Sequence, residues 1–314
     1  MIESAVHRQA VPQPKAARRR GGRQSERREA AWSVLKTGGR AKRVCLYLVL
    51  IAGAVVVALP FCWMVSTSLM TLGETINRQW LPSTPHWQNY QTAWTEARFA
   101  AYFMNSVIIT VTSLAGLLTT SILAAYAFAR LQFAGREILF FGLLSTMMIP
   151  EAMTLLPSFL VIRGDVIPLP GGSWLNTLQG LTVPFMASAF SIFLLRQFFK
   201  RLPVELWDAA CIDGCGHLRF LTTVVLPLSK APLLTVSLFG FIASWDALLW
   251  PLLVTTRETW RPLMVGLWSL VTEAGPETQL FMAGATITLL PILVIYFLVQ
   301  RQFTEGIMTS GLKG

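Results

Sequence analysis

Six apolar stretches, separated by shorter polar segments, dominate the pattern of hydrophobic positions along this chain. A helix needs about 20 mainly apolar residues to cross the hydrocarbon core of a bilayer. Each stretch is long enough to predict one membrane-spanning helix. The predicted spans are about 44–69, 104–129, 137–162, 180–199, 232–254 and 279–300.

The third, fourth and sixth stretches contain Pro150, Pro184 and Pro291, respectively. A proline removes a backbone donor and clashes with the preceding turn, so it bends a helix. Neighbouring helices satisfy the freed carbonyls, which makes such prolines tolerable inside a membrane. We therefore predict kinks in the third, fourth and sixth spans.

The composition agrees with a membrane protein. The chain has 314 residues, of which 54% are hydrophobic and 13% charged. A soluble domain carries roughly 25% charged residues. The predicted fold class is all-α: a polytopic membrane protein with six transmembrane helices.

The charge is concentrated at the N-terminus. Residues 1–43 hold 12 Lys and Arg against 3 Asp and Glu, whereas the other residues hold 14 against 13. A segment with this charge and few large apolar residues cannot bury enough apolar surface to offset the loss of conformational entropy on folding. We predict a basic, disordered cytoplasmic tail over 1–43 and a transmembrane domain over 44–314. The tail is expected to contact anionic lipid, and no nucleic-acid partner is expected.

Lys and Arg in the short loops predict the orientation, because they are retained on the cytoplasmic side. With the N-terminus inside, nine basic residues fall in cytoplasmic connections and five in outer loops. This distribution predicts that both termini are cytoplasmic. The chain is expected in the cytoplasmic (inner) membrane of a bacterium as a multi-pass protein.

The connection between the fourth and fifth spans, at about 200–230, has the composition of a helix, a turn and a second helix. Pro203 suits the first turn of a helix, and Glu205 and Asp208 place negative charge near its N-terminus. Gly214 allows a sharp turn. An amphipathic run follows from Phe220 and meets Pro227. The predicted result is a compact cytoplasmic projection.

The same loop resembles the EAA loop of ABC importer permeases. It reads Asp208-Ala209-Ala210, three residues, Gly214, nine residues, Val224, one residue and Leu226-Pro227. The family pattern is Glu-Ala-Ala, three residues, Gly, nine residues, Ile, one residue and Leu-Pro. Asp208 is one methylene shorter than the usual Glu. The residues that the resemblance assigns to coupling are Glu205, Asp208, Ala209, Ala210, Asp213, Gly214, Leu226 and Pro227.

This resemblance implies a type I ABC importer permease fold and a mechanical role. In the family, the short helix docks in a cleft of an ATPase subunit, whose closure on ATP switches the permease between inward-open and outward-open states. The implied partners are two ATPase subunits, a second homologous permease (a heterodimer is expected) and an external solute-binding protein. ATP and Mg would be bound by the ATPase, and this chain is expected to bind no cofactor.

Other segments resemble the maltose-type, MalG-like carbohydrate branch. They include residues 124–137, 148–159, 175–199 and 244–255. In that branch the C-terminal tail reaches between the ATPase subunits, which here implies contacts from Gly311, Lys313 and Gly314. The resemblance implies a sugar or oligosaccharide as the solute.

The sequence contains no GxxxxGK[ST] phosphate loop, so ATP hydrolysis is assigned to another chain. It also contains no HExxH or other metal-ligand cluster, and no catalytic residue is predicted. The spacing of Cys45, Cys62, Cys211 and Cys215 matches no metal or redox pair, so free thiols are expected.

Acidic residues within membrane spans usually serve function. Asp246 lies in the fifth predicted span and Glu151 in the third. They are candidates to line the translocation path, with Asn105, Trp245 and Trp250 as hydrogen-bonding or stacking neighbours. The alternative for all five is hydrogen bonding between helices, to neighbouring polar side chains.

Further alternatives remain open at this point. The aromatic-rich outer segment 70–103 suits either an interfacial belt on the membrane or a docking surface for an external partner. A glycerol-phosphate-type ABC permease has very similar motifs. A secondary transporter driven by an ion gradient predicts internal repeats, and a membrane enzyme requires a nucleophile–base set that the sequence lacks.

Overall fold

The computed structural model describes residues 39–96, 98–272 and 277–311. Every regular element in these ranges is a helix. The α-helices are α1 Gly39–Ser68, α2 Leu72–Ile76, α3 Gln88–Glu96, α4 Phe99–Arg130, α5 Arg136–Ser145, α6 Glu151–Arg163, α7 Leu178–Thr182, α8 Ala189–Arg201, α9 Glu205–Ile212, α10 His217–Phe220, α11 Leu226–Leu228, α12 Lys230–Trp245, α13 Leu249–Val254, α14 Leu263–Thr272 and α15 Thr278–Gly311. Short 3₁₀ segments cover Thr146–Met148, Val183–Phe185 and Glu258–Trp260, and a π-helical turn covers Leu221–Val225.

Three single helices are long and apolar enough to cross a membrane: Val44–Ser68, Phe99–Arg130 and Thr278–Gln300. Three bent pairs pass the same test together, which gives six spans when each pair is one span. The pairs are Arg136–Met148 with Glu151–Arg163, Leu178–Phe185 with Ala189–Arg201, and His217–Leu228 with Lys230–Trp245. The all-α class and the six-span reading are therefore confirmed.

Two of the predicted kinks coincide with breaks. The third span bends by 104° at Pro150, which is the N-cap of α6. The fourth span bends by 43° after the 3₁₀ segment that contains Pro184. In contrast, α15 runs through Pro291 as one helix.

The prediction of a single helix over 232–254 for the fifth span is wrong. Helix α12 ends at Trp245, residues 246–248 are non-helical, and α13 begins at Leu249. Pro251 explains the break: in a continuous helix its ring would clash with the carbonyl of Ala247, four residues earlier. The bent pair that forms this span instead begins at His217, within the cytoplasmic loop that was predicted.

Helix α14, Leu263–Thr272, was not predicted from the sequence. Its ten residues are too few to cross a membrane alone. It follows Pro262 and packs against α4 and α15.

The chain divides into two compact units, residues 1–62 and 63–314. In the first unit the described side chains between 44 and 62 are all exposed, as suits a helix that is apolar on every side. Helix α1 begins at Gly39, so the predicted tail boundary at residue 43 falls inside a helix; residues 1–38 lie outside the described residues.

In the second unit, α4 is the central helix and packs mainly against α8 and α12. One buried cluster joins these helices to the segment after α9; it contains Leu117, Tyr126, Leu195, Phe199, Phe220, Val225 and Val236. Gly240 permits the close approach of α12 to α4, since a β-carbon there would lie 2.6 Å from Leu117 Cδ2.

Candidate coupling surface and translocation cavity

Helix α9 and its terminal turn, residues 205–215, form a compact projection that we call the knob. Its helix begins at Glu205 with Val204 as the N-cap, so Pro203 precedes the first turn and does not occupy it as predicted. Glu205 and Asp208 lie in the first turn, where the helix dipole stabilises their negative charge. Favourable charges therefore stabilise the N-terminal end of this helix.

The turn at Gly214 closes the knob as predicted. Gly214 has φ +72°, in the left-handed region that a β-carbon disfavours. The Cys215 N–H donates to the Ala210 carbonyl at 2.8 Å, and the Gly214 N–H donates to the Cys211 carbonyl at 3.0 Å. This pair of bonds is a Schellman motif, which satisfies carbonyls that the helix end leaves free.

The residues assigned to coupling do not all lie on one surface. Glu205, Asp208, Ala209, Asp213 and Gly214 are exposed on the knob. In contrast, Ala210 is buried against the cluster beneath the knob, which removes it from the accessible surface. Leu226 is half-buried and Pro227 exposed on the following helix. The knob therefore presents three carboxylates and an alanine outward, while one small alanine allows close packing inward.

An aromatic stack fastens the knob to the helix bundle. The ring of Trp207 stacks on His217 with centroids 4.2 Å apart and planes 6° apart. Trp207 also meets Phe220 edge-on at 5.0 Å. His217 Nδ1 shares a 2.9 Å hydrogen bond with the hydroxyl of Tyr126 on α4. Sequence analysis did not single out His217, because nothing in its local pattern indicates the contact with a residue 91 positions away.

The segment after the knob turns sharply into α12. The Leu226 N–H bonds to the Leu221 carbonyl, five residues back, which is the π-helical spacing. Ser229 is fully buried, and its hydroxyl donates to the Val225 carbonyl at 2.6 Å. Segment His217–Leu228 and α12 meet at 84° around Ser229. We call this bend the Ser229 corner.

A buried arginine braces the bundle near the knob. Arg196 on α8 is 4% exposed, and its Nε donates to the Phe128 carbonyl at 3.1 Å. Its Nη2 lies 2.9 Å from one oxygen of Glu137, and its guanidinium carbon lies 3.7 Å from the ring centroid of Phe140. These contacts connect α8 with α4 and α5, so the helices next to the knob are held together by a buried side chain.

A cavity of about 480 Å³ lies between α4, the α7–α8 region, α12 and α13. Such a volume is typical of small-molecule sites. Its wall is apolar apart from serine hydroxyls and one carboxylate, that of Glu151. The lining residues are Ser106, Ile109, Ser113, Leu117, Glu151, Leu181, Pro184, Phe185, Ala187, Ser188, Phe190, Ser191, Phe239, Gly240, Ala243, Ser244, Ala247, Trp250, Pro251 and Pro262. We call it the central cavity.

Two of the five predicted path residues line the central cavity, Glu151 and Trp250. The Trp250 indole N–H already donates to the Gly180 carbonyl at 2.9 Å, so this residue contributes ring surface. Asn105 lies elsewhere, and its amide donates to the carbonyls of Thr259 and Arg261, both at 3.0 Å.

Trp245 and Asp246 also lie outside the cavity wall. Trp245 is 3% exposed, and its indole N–H donates to the Thr288 carbonyl at 3.1 Å; this is an interhelical hydrogen bond, as in the alternative, but to the backbone and not to a side chain. Asp246 is the exposed C-cap of α12. Among the described residues its carboxylate has no hydrogen-bond or ion-pair partner, so the alternative of interhelical bonding is not observed for Asp246.

The outer segment predicted over 70–103 contains α2, α3 and the first turn of α4. Glu74 accepts hydrogen bonds from the N–H groups of Thr71 at 2.8 Å and Ser83 at 2.9 Å, and these bonds lower its pKa to about 2. Arg98 forms a 2.7 Å ion pair with Glu258, which joins this segment to the loop after α13. Trp80 and Trp87 remain largely exposed.

The described residues include all four cysteines but only part of the C-terminus. Among the described residues, no group of three His, Cys, Asp or Glu side chains is placed to hold a metal ion. Cys45, Cys62, Cys211 and Cys215 are free thiols. Gly311 is the last residue of α15, whereas Lys313 and Gly314 lie outside the described residues.

Relatives of known function share most of this chain. The sn-glycerol-3-phosphate transport system permease protein UgpE of Yersinia pestis is 36% identical over 235 residues, which are 72% of this chain and 81% of that protein. The diacetylchitobiose uptake system permease protein NgcG of Streptomyces coelicolor is 29% identical over 271 residues, 83% of this chain and 86% of its own.

The fold is also that of a solved transporter. A bacterial ABC transporter involved in the import of the acidic polysaccharide alginate matches with a TM-score of 0.73 and 24% identity, over 84% of this chain and 98% of that one. The family model for binding-protein-dependent transport system inner membrane components matches residues 116–308, which include the knob and most of the lining of the central cavity. The chain therefore belongs to this family of multi-pass inner-membrane permeases of ABC importers.

Proposed function

We propose that this chain is one permease subunit of an ATP-driven, binding-protein-dependent importer for a sugar or oligosaccharide. The observation that carries the proposal is the knob, with an exposed acidic first turn, a left-handed glycine closure and an aromatic anchor to the bundle. A projection fastened in this way transmits force from a docked partner to the helices behind it. The chain itself catalyses no reaction; the ATPase activity, with ATP and Mg, belongs to a partner subunit.

The orientation follows from the charges around the knob. Lys200, Arg201, Arg219 and Lys230 flank it, and basic residues are retained on the cytoplasmic side. Both chain termini then lie in the cytoplasm, and segment 70–98 lies outside. This arrangement brings the knob to the side where ATP is available.

The assembly contains two ATPase subunits, a second homologous permease and an external solute-binding protein. A solved alginate transporter of the same fold, at 13% identity and a TM-score of 0.57, is described as a complex with a periplasmic protein bound to an alginate pentasaccharide. That description supports an external partner here. The exposed carboxylates of Glu205, Asp208 and Asp213 suit a basic cleft on the ATPase, because opposite charges steer association.

The names of two relatives state different solutes. The name of NgcG gives a disaccharide and that of UgpE gives sn-glycerol-3-phosphate. The second candidate function, a glycerol-phosphate-type permease, is favoured by the higher identity to UgpE. The sugar is favoured because, among the described residues, no Lys, Arg or His lines the central cavity.

The test is the complete transporter with one alanine enlarged. Ala209→Trp places a large ring on the exposed knob surface, and Ala134→Trp is the matched control at an exposed alanine in the loop between α4 and α5. We expect Ala209→Trp to abolish co-purification of the ATPase subunits and solute-stimulated ATP hydrolysis, while Ala134→Trp retains both. Solute uptake that persists in Ala209→Trp and follows a proton or sodium gradient would show that the proposal is wrong.

A further inference from the structure

The wall of the central cavity combines aromatic faces with hydroxyl groups. Phe185, Phe190 and Phe239 line it with 40%, 41% and 54% of their surface exposed, so their rings face open space. Phe190 and Phe239 meet edge-on at 5.9 Å, which fixes two rings at right angles. Apolar ring faces with a few polar groups are typical of sites that bind small organic ligands.

Glu151 is the charged member of this wall. It is the first residue of α6, immediately after the bend at Pro150. Among the described residues no cation pairs with its carboxylate and no donor bonds to it. The cavity therefore contains one carboxylate with free acceptor capacity.

The serine groups add further hydrogen-bonding capacity. Ser106 is used by the fold, since its hydroxyl accepts from the Leu263 N–H at 2.7 Å. Ser113 has no hydrogen-bond partner among the described residues, although it lies on the cavity wall and is 5% exposed. A hydroxyl both donates and accepts, whereas an ionised carboxylate only accepts. A ligand that fits both groups carries hydroxyl donors and no negative charge.

We infer that the central cavity selects an uncharged sugar and that Glu151 is its specificity-determining residue. The carboxylate accepts hydrogen bonds from sugar hydroxyls, the phenylalanine rings contact the apolar faces of the sugar ring, and the same carboxylate repels phosphates and uronates. This inference rests on the proposed function and narrows it. It distinguishes the solute of this chain from sn-glycerol-3-phosphate and alginate, the solutes in the names of UgpE and of the alginate transporter, both of which are acidic.

The charge of the cavity is tested without any solute. In the complete transporter with the four cysteines changed to serine, Ser113→Cys places a thiol on the wall. Two methanethiosulfonate reagents of similar size are compared, one with a trimethylammonium group and one with a sulfonate. We expect Glu151→Gln to lower the ratio of cationic to anionic labelling rates about tenfold, because the attraction and the repulsion disappear together.

Asp246→Asn is the matched control, since it removes a carboxylate that lies outside the cavity wall. The labelling ratio is expected to stay within about twofold of the parent in this variant, as befits a screened, exposed charge. A ratio that Glu151→Gln leaves unchanged, or that Asp246→Asn lowers equally, would overturn the inference. Labelling is measured without ATP, so it reports on the cavity even if coupling to an ATPase fails its own test.

The solute class is tested by uptake with the complete importer and its own binding protein. The probes are maltotriose and diacetylchitobiose, which are uncharged, and glycerol 3-phosphate and an alginate trisaccharide, which are anionic. We expect uptake of an uncharged probe that falls about tenfold in Glu151→Gln through the lost hydrogen bonds. Faster uptake of an anionic probe by the unaltered protein would overturn the inference.

Discussion

The orientation of the knob depends on one ring. The His217 ring stacks on one face of Trp207, and its Nδ1 shares a hydrogen bond with the Tyr126 hydroxyl on α4. Truncation of this side chain removes both contacts while the knob helix keeps its own hydrogen bonds. We therefore expect His217 to affect the proposed coupling through the position of the knob.

His217→Ala is therefore expected to loosen the knob without unfolding the bundle. An aromatic pair contributes about 0.5–1.5 kcal/mol beyond its buried area, which predicts a modest loss of thermal stability in detergent. The amount of solute moved per ATP hydrolysed is expected to fall severalfold in proteoliposomes. Leu218→Ala, at a neighbour that is 69% exposed, is the control and is expected to change neither quantity. Equal effects of the two substitutions would contradict the positioning role.

Single residues differ in how well the sequence predicts them. Glu151 and Trp250 were predicted as path candidates because an acid and an aromatic ring are rare in apolar spans; both line the central cavity, and their role in the path stays a prediction. Trp245 carries the same signal but packs inside, and only the Thr288 carbonyl across the bundle distinguishes it. Sequence composition does not encode which face of a helix meets a neighbour that is 43 residues away.

The C-terminal end of the knob helix depends on a left-handed backbone angle at Gly214. Gly214→Ala is expected to cost about 1–2 kcal/mol, since an L-residue with a β-carbon is strained at φ +72°. The Schellman bonds from Gly214 and Cys215 are expected to weaken, and solute-stimulated ATP hydrolysis to fall.

Gly216→Ala provides the comparison, because Gly216 lies two residues away with an ordinary φ of −81° and open space around its α-carbon. Thermal stability and ATP hydrolysis of this variant are expected to match those of the parent. If Gly214→Ala and Gly216→Ala lose activity equally, the backbone angle is not the determinant.

The sequence predicts a span well where one long apolar run forms one continuous helix, as in α4 and α15. The fifth span was not, because the apolar run over 232–254 conceals the clash of Pro251 with the preceding turn. Its span pairs α12 with the segment from His217 instead. Amphipathic runs outside the six stretches were visible at Phe220 but missed at α14, whose ten residues fall below the length of a span.

Several helices connect the knob with the central cavity, and α12 is one of them. Helix α12 starts at the Ser229 corner, beside the knob, and carries Phe239, Gly240 and Ser244 on the wall of the central cavity. Its 16 residues extend about 24 Å at 1.5 Å per residue. If the knob couples to an ATPase as proposed, we expect its displacement to reach the cavity as a rotation of this helix, which requires a stiff corner.

Ser229→Gly tests that stiffness, since it removes the hydroxyl bond to the Val225 carbonyl and frees the backbone at the corner. Ser237→Gly is the matched control, because the Ser237 hydroxyl makes the equivalent bond to the Leu233 carbonyl at 2.8 Å in the middle of α12. Both variants are expected to lose about 1 kcal/mol of stability. Only Ser229→Gly is expected to lower the solute moved per ATP, measured in proteoliposomes at matched rates of hydrolysis. A similar loss in Ser237→Gly would mean that the whole helix, and not its corner, limits the transmission of the knob's movement to the cavity.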